Sequence, residues 1–341
     1  MTTCSECTLI NAPNALICEA CSALLGGSCG ICEPSSNESD SAFLVTAQRL
    51  WDGQSDVTVT GECGVCAAVV DGKIAYVGLL EHLPQSLRHL PATHHHSSES
   101  STLMPGLIDC HVHLEFSPAH DLHNQPRLSP NELMAKMRSR ARAMLSHGIT
   151  TCRDLGGRPS GALALRAAIR NGECEGPRVL CAGAPITRPR GHCWQWGGEA
   201  ATEADIQRVV RSNVSPSVGA DVIKIMATGG VRTAGTNPAE AAFSEREICV
   251  AVEAAHQAGR KVAAHAHGVG GIAAAARAGV DTIEHCSWVD SYGRWERSKS
   301  PPARTHRQQP RSSSPAALSF LAHSFPSALA FCCYCFCTQM G

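Results

Sequence analysis

The spacing of hydrophobic residues changes along the chain, and the clearest pattern runs from Leu103 to Asp290. Short apolar runs alternate there with longer stretches in which apolar residues recur every three or four positions. The short runs are typical of buried strands and the longer stretches of amphipathic helices. The pattern predicts six strands, which are LMPGLIDCHVH, ITTCRDLG, PRVLCAG, DVIKIMA, KVAAHAHG and DTIEH.

Capping residues mark helices between these strands. Ser129, Pro130 and Glu132 form a capping box with proline at the first helical position, and Ser244 with Glu247 forms another. A run of β/α units with polar groups at the carboxyl ends of the strands is typical of a TIM-type barrel, whose active sites lie at that face. We therefore predict an α/β fold based on a (β/α)8 barrel that is truncated to about six units.

A different pattern precedes the barrel. From Ser41 to about Leu90 the chain has short β-like runs, and Asp71-Gly72 between two of them is a strong hairpin signal. This zone predicts a small β domain.

After Asp290 the β/α alternation stops. A basic, Pro/Ser-rich stretch leads into an apolar run from Leu318 to Cys337. We interpret this tail as sequence foreign to the domain, from a retained intron or a shifted frame. The alternative is a membrane tail anchor, because the run is about long enough to cross a bilayer. His323 and Pro326 interrupt the run, which disfavours the anchor.

Composition limits the function classes. The chain has 341 residues, of which 43% are hydrophobic, as expected for a globular protein with a sizeable core. A formal net charge of −1 gives no electrostatic argument for nucleic acid or an anionic membrane, so we expect neither DNA nor a membrane as a partner. The first residues, MTTCSECTLI, lack the basic and long apolar regions of a secretory signal, so we predict a cytoplasmic protein. In a reducing compartment its 19 cysteines are more suited to zinc than to disulfides.

Two cysteine pairs near the start have the spacing of a zinc finger. Cys4-x2-Cys7 and Cys18-x2-Cys21 provide four thiolates for one tetrahedral, structural zinc ion. With Asn11 four residues after Cys7, the segment resembles zinc fingers of the Ran-binding protein 2 type. Fingers of that type bind single-stranded RNA or ubiquitin, and the residues present here do not select between these two partners.

Histidines at the ends of strands are the candidate metal ligands of the barrel. His111 and His113 are two residues apart on a predicted strand, so both imidazoles face the same side. His265 and His285 end the fifth and sixth predicted strands. His267 shares a face with His265 and is either a ligand, a supporting residue or a substrate-binding residue. Imidazole nitrogens are ligands that zinc prefers.

A lysine adds a further candidate. Lys224 lies between Ile223 and Ile225 on an apolar strand, where an uncompensated ammonium is unfavourable. Either its stem reaches the mouth of the barrel, or the amine is neutral and reacts with carbon dioxide to form a carbamate. A buried, neutral lysine is a competent nucleophile for that reaction.

Four ordered motifs carry a family resemblance. The segments PGLIDCHVH, DVIKIMATGGVRTAGTNP, FSEREICVAVEAAHQAGRKVAAHAHG and AGVDTIEH resemble the amidohydrolase superfamily, in the branch of imidazolonepropionase-like hydrolases and Xaa-Pro dipeptidase-like zinc carboxypeptidases. The resemblance runs from about Phe43 to Asp290. It implies five barrel metal ligands, which are His111, His113, Lys224 in carboxylated form, His265 and His285. His192, in the loop RPRGHCWQWGG, matches a loop that lines the substrate pocket of that branch.

The resemblance also implies a reaction. One or two Zn²⁺ ions in the barrel would activate a hydroxide for attack on the C–N bond of a small amide or dipeptide. In the family an aspartate at the end of strand eight relays the proton. We find no counterpart of strands seven and eight or of that aspartate, so the catalytic residue is unknown. The alternative function is a non-catalytic zinc-binding adaptor whose truncated barrel has lost activity.

The sequence thus predicts five zones. Residues 1–32 are the zinc finger and a Cys-rich segment, 33–42 a linker and 43–102 part of a small β-sandwich. Residues 103–290 are the incomplete barrel, and 291–341 are the non-homologous tail.

Overall fold

A computed structural model describes residues 42–53, 58–95, 101–117, 128–158 and 161–288. Nearer the start it describes only the backbone of two short strands that pair, β1 (Thr2–Thr3) and β2 (Ile10–Asn11). The predicted linker up to Ser41, the tail and the zinc-finger cysteines lie outside these residues. The described chain divides into two compact units, with the boundary between Leu107 and Ile108.

The first unit is a single five-stranded sheet with the order β5-β4-β3-β6, in which β7 also pairs with β3. Its strands are β3 (Phe43–Leu50), β4 (Val59–Val70), β5 (Lys73–Leu79), β6 (Ala92–His95) and β7 (Thr102–Leu103). Strands β3, β4 and β5 are antiparallel neighbours, whereas β6 and β7 run parallel to β3. One cluster of buried side chains in this unit consists of Leu44, Cys66, Ala68 and Leu83.

The predicted hairpin is confirmed. Asp71 and Gly72 connect β4 to β5, and both have positive φ, 51° and 68°. Two successive left-handed residues match the right-handed twist of the flanking strands, which is why Asp-Gly is favoured there. The sandwich partner of this sheet stays a prediction.

The second unit has the alternation that the sequence predicts. Six strands and five helices follow one another in the order βαβαβαβαβαβ. The strands are β8 (Leu107–Val112), β9 (Ile149–Asp154), β10 (Arg178–Cys181), β11 (Val222–Met226), β12 (Lys261–Ala266) and β13 (Thr282–His285). The helices are α1 (Pro130–Ser146), α2 (Gly161–Arg170), α3 (Glu203–Val214), α4 (Glu245–Gln257) and α5 (Val269–Arg277).

These strands form a half-barrel sheet. One three-stranded sheet has the order β10-β9-β8 and the other the order β11-β12-β13. A parallel bridge between Ile186 and Ile225 connects them, and the amide of Asp221 donates to the carbonyl of Cys181 at 2.8 Å. The carboxyl ends of six neighbouring strands therefore lie along one edge of the half-barrel.

Both predicted capping boxes are confirmed, at Ser129 for α1 and at Ser244 for α4. Thr202 with Asp205 forms a third at the start of α3. In each, the hydroxyl of the cap residue accepts a hydrogen bond from the backbone N–H of the third helical residue. The acidic side chain of that third residue accepts one from the backbone N–H of the cap residue. Amides that lack a partner within the helix are thus hydrogen-bonded.

Small residues let the helices lie close to the sheet. Every residue of β11 is buried, as are all but the first of β12. Residues of α5 from Ile272 to Ala276 are buried against the same core. Burial on both faces explains why these strands are continuous apolar runs and do not alternate.

No helix among the described residues is both long and apolar enough to cross a bilayer.

Asn213 connects helix α3 to the loop after β10. Its side chain is buried; Nδ2 donates to the carbonyl of Ala184 at 2.7 Å, and Oδ1 accepts from the amide of Ala184 at 3.2 Å. Asn213 therefore hydrogen-bonds both the N–H and the C=O of Ala184, which lies in a loop and not in a strand.

We expect Asn213→Ala to lower the free energy of unfolding by about 2 kcal/mol, because it leaves a buried donor and a buried acceptor unpaired. Urea denaturation measures the effect. The control is Asn171→Ala, which removes an exposed side chain bonded to Glu173 and should change stability by less than about 0.5 kcal/mol. Equal effects of the two substitutions would contradict this role for Asn213.

Candidate metal centre

Six histidines converge at the carboxyl ends of the strands. Neighbouring imidazole centroids are 4.5 to 5.2 Å apart along a continuous path through the cluster. The histidine cluster consists of His111, His113, His192, His265, His267 and His285. All six are candidate residues of the sequence analysis, although they are separated by up to 174 positions in the chain.

The hydrogen bonds of His111 and His113 determine which ring nitrogen of each is free to bind a metal. His113 Nδ1 is 2.8 Å from the carbonyl oxygen of Gly156, which can only accept, so this nitrogen carries the proton. His111 Nδ1 is 2.9 Å from a carboxylate oxygen of Glu284 and donates to it. Both Nε2 atoms are then unprotonated, and they lie 3.3 Å apart. Two lone pairs at this separation repel each other unless a cation lies beside them, so the donor set fits a divalent cation.

His265, His267 and His285 form a second group of donors. One ligand atom from each can be chosen so that all three lie within 4.8 Å of one another. His265 Nε2 donates to the carbonyl of Gly229 at 3.0 Å, which leaves its Nδ1 as the lone pair. His267 stacks on His285 with 4.6 Å between ring centroids.

The backbone at the end of β13 is unusual. His285 and Cys286 have φ of 68° and 45°, in the left-handed region that costs about 1 to 3 kcal/mol for residues other than glycine. Without this change of direction, the side chain of His285 would alternate to the face opposite that of Glu284. With it, His285 and Glu284 both contact His111.

Lys224 lies beneath the histidines on β11 and is only 1% exposed. Burial is the main reason why the pKa of each histidine in the cluster is lowered, and the positive charge of Lys224 lowers every one further. The effect on all six indicates that the amine is close to the whole cluster.

Low pKa values keep the cluster neutral at physiological pH. Burial lowers the pKa of His113 and of His267 to about 4 and that of His192 to about 3. The pKa values of His111, His265 and His285 are lowered too, again chiefly by burial. Neutral imidazole is the form that binds metals, so no proton has to be removed before binding.

Aromatic side chains form one wall of the site. The ring of Trp196 is 4.9 Å from that of His113, and Phe116 packs on Trp196 at 6.5 Å. The guanidinium of Arg232 lies 5.4 Å above the ring of Phe116. This wall makes the surroundings of His113 apolar on one side.

A glycine explains the position of His192. A Cβ at Gly230 would overlap the His192 ring, so the loop after β11 can approach that ring only with glycine there. His192 Nδ1 is also 2.8 Å from the hydroxyl of Thr233 in the same loop. Gly230 of the motif ATGGVR therefore contributes to the site through close contact with His192.

The acidic residues differ in what they contact. Asp154 is buried and accepts the amides of Leu114 and Gly156 at 2.8 and 3.0 Å, and burial raises its pKa to about 7. It therefore fixes the loops after β8 and β9. Glu284 contacts the cluster directly through His111, and sequence reasoning missed it. The signal was available, because Glu284 is a charged residue within an apolar strand, as Lys224 is.

All seven candidate barrel residues thus lie at one site, which consists of the histidine cluster and Lys224. The zinc-finger cysteines fall outside the described residues. A counterpart of the strand-eight aspartate was not found in the sequence, and the described residues supply Glu284 as the carboxylate in contact with the cluster.

Comparison with known proteins places this site in a family. The chain is 34% identical over 255 residues to an ochratoxinase of Aspergillus niger, a match that covers 66% of this chain and 51% of the relative. The chain thus spans about half the length of the curated relatives it matches.

Solved structures show the same likeness. The crystal structure of A. niger ochratoxinase superposes with a TM-score of 0.64 at 29% identity, covering 74% of this chain and 61% of that one. A Xaa-Pro dipeptidase with bound methionine gives 0.63 at 28% identity, covering 74% and 63%. The sequence profile of the amidohydrolase family matches residues 102–307, which include the half-barrel sheet and the histidine cluster. Because that match extends over more than half of the chain, the protein belongs to the amidohydrolase family.

Proposed function

We propose that this protein is a metal-dependent hydrolase that cleaves C–N bonds of small amides or dipeptides. The observation that carries the proposal is the pair of unprotonated Nε2 atoms of His111 and His113, 3.3 Å apart, within a cluster of neutral histidines. Relatives named as an ochratoxinase and a Xaa-Pro dipeptidase support hydrolysis of amide bonds.

The proposed ligands are His111 and His113 for one Zn²⁺ ion and His265 and His285 for a second, and carboxylated Lys224 would be a further ligand. A divalent cation there supplies polarisation of a substrate carbonyl and acidification of water. We further propose that Lys224 is carboxylated: its neutral amine attacks carbon dioxide, the N–C bond forms while one C–O π bond breaks and its electron pair moves to oxygen, and the nitrogen releases one proton to solvent. The anionic product would offset the positive charge of the metal ions in this buried site.

His192 and His267 are proposed to bind and orient the substrate. His192 is held by Thr233 and lies against His265, and His267 is half-buried at the open side of the cluster. The wall formed by Trp196 and Phe116 favours a substrate with an apolar or aromatic group next to the scissile amide. An N-acyl amino acid or a Xaa-Pro dipeptide has this form.

For the rest of the chain we propose what the sequence analysis predicts. Residues 1–32 are proposed to hold one structural zinc ion through Cys4, Cys7, Cys18 and Cys21, and residues 43–102 to be part of a small β-sandwich. We also propose a cytoplasmic location.

We expect the full chain to hydrolyse members of a panel of Xaa-Pro dipeptides and N-acyl amino acids when Zn²⁺, Co²⁺ or Mn²⁺ is supplied. His113→Ala and Lys224→Ala should each lower kcat/KM by more than about 100-fold. Removal of a metal ligand lowers activity more than removal of a residue that only supports a ligand. Product release measured by chromatography and metal content measured by mass spectrometry check this.

His256→Ala is the matched control. His256 pairs with Asp281 on the surface, so its removal should leave both activity and metal content unchanged. Absence of metal-dependent turnover on the whole panel would reject the enzyme and favour the zinc-binding adaptor.

We expect the metal-free protein to lose stability as the pH falls from about 6.5 to about 4. The unfolded chain binds protons on histidine below its usual pKa of 6.5, whereas folded His113 resists protonation until about 4. The unfolded state then holds more protons, so the free energy of unfolding falls on acidification, by on the order of 3 kcal/mol for a group shifted this far.

Urea denaturation in a chelator at pH 7, 6 and 5 measures this dependence. His113→Gln removes one such group and should flatten the dependence on pH, whereas His256→Gln should not. A pH dependence identical in wild type and His113→Gln would contradict the burial of a neutral imidazole at position 113.

A further inference from the structure

Glu284 is a buried carboxylate on β13, the last strand of the half-barrel sheet. Its side chain is 1% exposed, and it lies on β13 immediately before His285. Burial of a carboxylate is unfavourable unless charged and hydrogen-bonding partners replace the lost water. The identity of those partners shows what the residue does.

The two carboxylate oxygens have different partners. Oε1 accepts from Arg153 Nη2 at 2.9 Å and from the hydroxyl of Thr282 at 2.8 Å. Oε2 accepts from His111 Nδ1 at 2.9 Å. One oxygen is thus held by an arginine and a hydroxyl, and the other is left for a single histidine.

Arg153 is itself fixed in place. Its Nε donates at 2.7 Å to the carbonyl of Cys110, the residue before His111. Its Nη1 is 3.4 Å from the Thr282 hydroxyl. Arg153 therefore joins β8, β9 and β13. Arg153 and Thr282 hold Oε1 of Glu284, and Arg153 is held in turn by the backbone next to His111. Glu284 therefore has little freedom to move away from the His111 ring.

We propose that Glu284 is a positioning residue that keeps the proton of His111 on Nδ1, so that Nε2 faces His113 as a metal-binding lone pair. The inference rests on the proposed function, since it assigns a supporting residue to the same metal site. Hydrogen bonds of this kind to the non-ligating nitrogen of a metal-binding histidine fix its tautomer and ring orientation.

The substitution Glu284→Gln tests this with almost no change in shape. Arg153 and Thr282 both donate to the position of Oε1, so the amide oxygen should occupy it and the NH₂ group should face His111. A donor now opposes Nδ1, which becomes the acceptor, and the proton moves to Nε2. The nitrogen that faces the metal site would then no longer offer a lone pair.

The first measurement is the affinity of the full chain for Co²⁺ alone, by competition with a chromophoric chelator. We expect Glu284→Gln to weaken binding by about 10- to 100-fold. Asp221→Asn is the matched control, because Asp221 is also a carboxylate paired with an arginine, Arg166, and with a backbone amide. It precedes β11, away from the carboxyl ends of the strands, and its substitution should leave affinity for Co²⁺ within about two-fold.

The second measurement is independent of metal. In metal-free protein labelled with ¹⁵N-histidine, NMR should show the His111 proton on Nδ1 in wild type and on Nε2 in Glu284→Gln, with the signals assigned by their loss in His111→Gln. A purely structural role for Glu284 would not move this proton.

The inference is overturned if Glu284→Gln binds Co²⁺ as wild type does, or if affinity falls while the proton stays on Nδ1. If Glu284→Gln does not fold, Thr282→Val removes one donor to the carboxylate and should weaken Co²⁺ binding by about 2- to 10-fold; unchanged affinity would overturn the inference. Wild-type protein that binds no Co²⁺ would reject the proposed metal site as well, whereas wild-type binding with an unaffected Glu284→Gln would reject this inference alone.

Discussion

The arrangement of the site depends on one electrostatic constraint, the repulsion between the unprotonated Nε2 atoms of His111 and His113 at 3.3 Å. Both rings have their protons held on Nδ1, by the carbonyl of Gly156 and by the carboxylate of Glu284. Burial prevents water from relieving the repulsion and keeps both imidazoles neutral. A divalent cation bound by both Nε2 atoms would remove the repulsion between these buried, neutral rings, which is why we propose a metal-dependent hydrolase.

The half-barrel sheet brings the carboxyl ends of its strands together, and with them the histidines whose Nε2 atoms repel each other. Helices on its outer side and small residues in β12 and α5 let the strands lie close, and capping boxes fix where three of the helices begin. Local departures from regular structure then direct individual side chains. The left-handed backbone at His285 and the absence of a side chain at Gly230 are two such departures, and both lie at the site.

Buried charge is balanced across the same sheet. Lys224 is buried on β11, and Glu284 with Arg153 forms an ion pair between β13 and β9. A buried pair of this kind adds little to stability by itself, because desolvation offsets its attraction. Its retention next to His111 is therefore better explained by the geometry that it imposes on a ring nitrogen than by its contribution to folding.

The sequence by itself determined the order of strands and helices, the hairpin at Asp71-Gly72 and the capping boxes, because these depend on neighbours a few positions apart. It also determined which histidines end strands, since the periodicity of strands and the topology of β/α units place them at one edge. Only the tertiary structure decided the partner of each ring nitrogen. His111 and Glu284 are 173 positions apart, and no local pattern reports a hydrogen bond across that separation. The tautomers, and with them the direction of the lone pairs, arise when the strands come together.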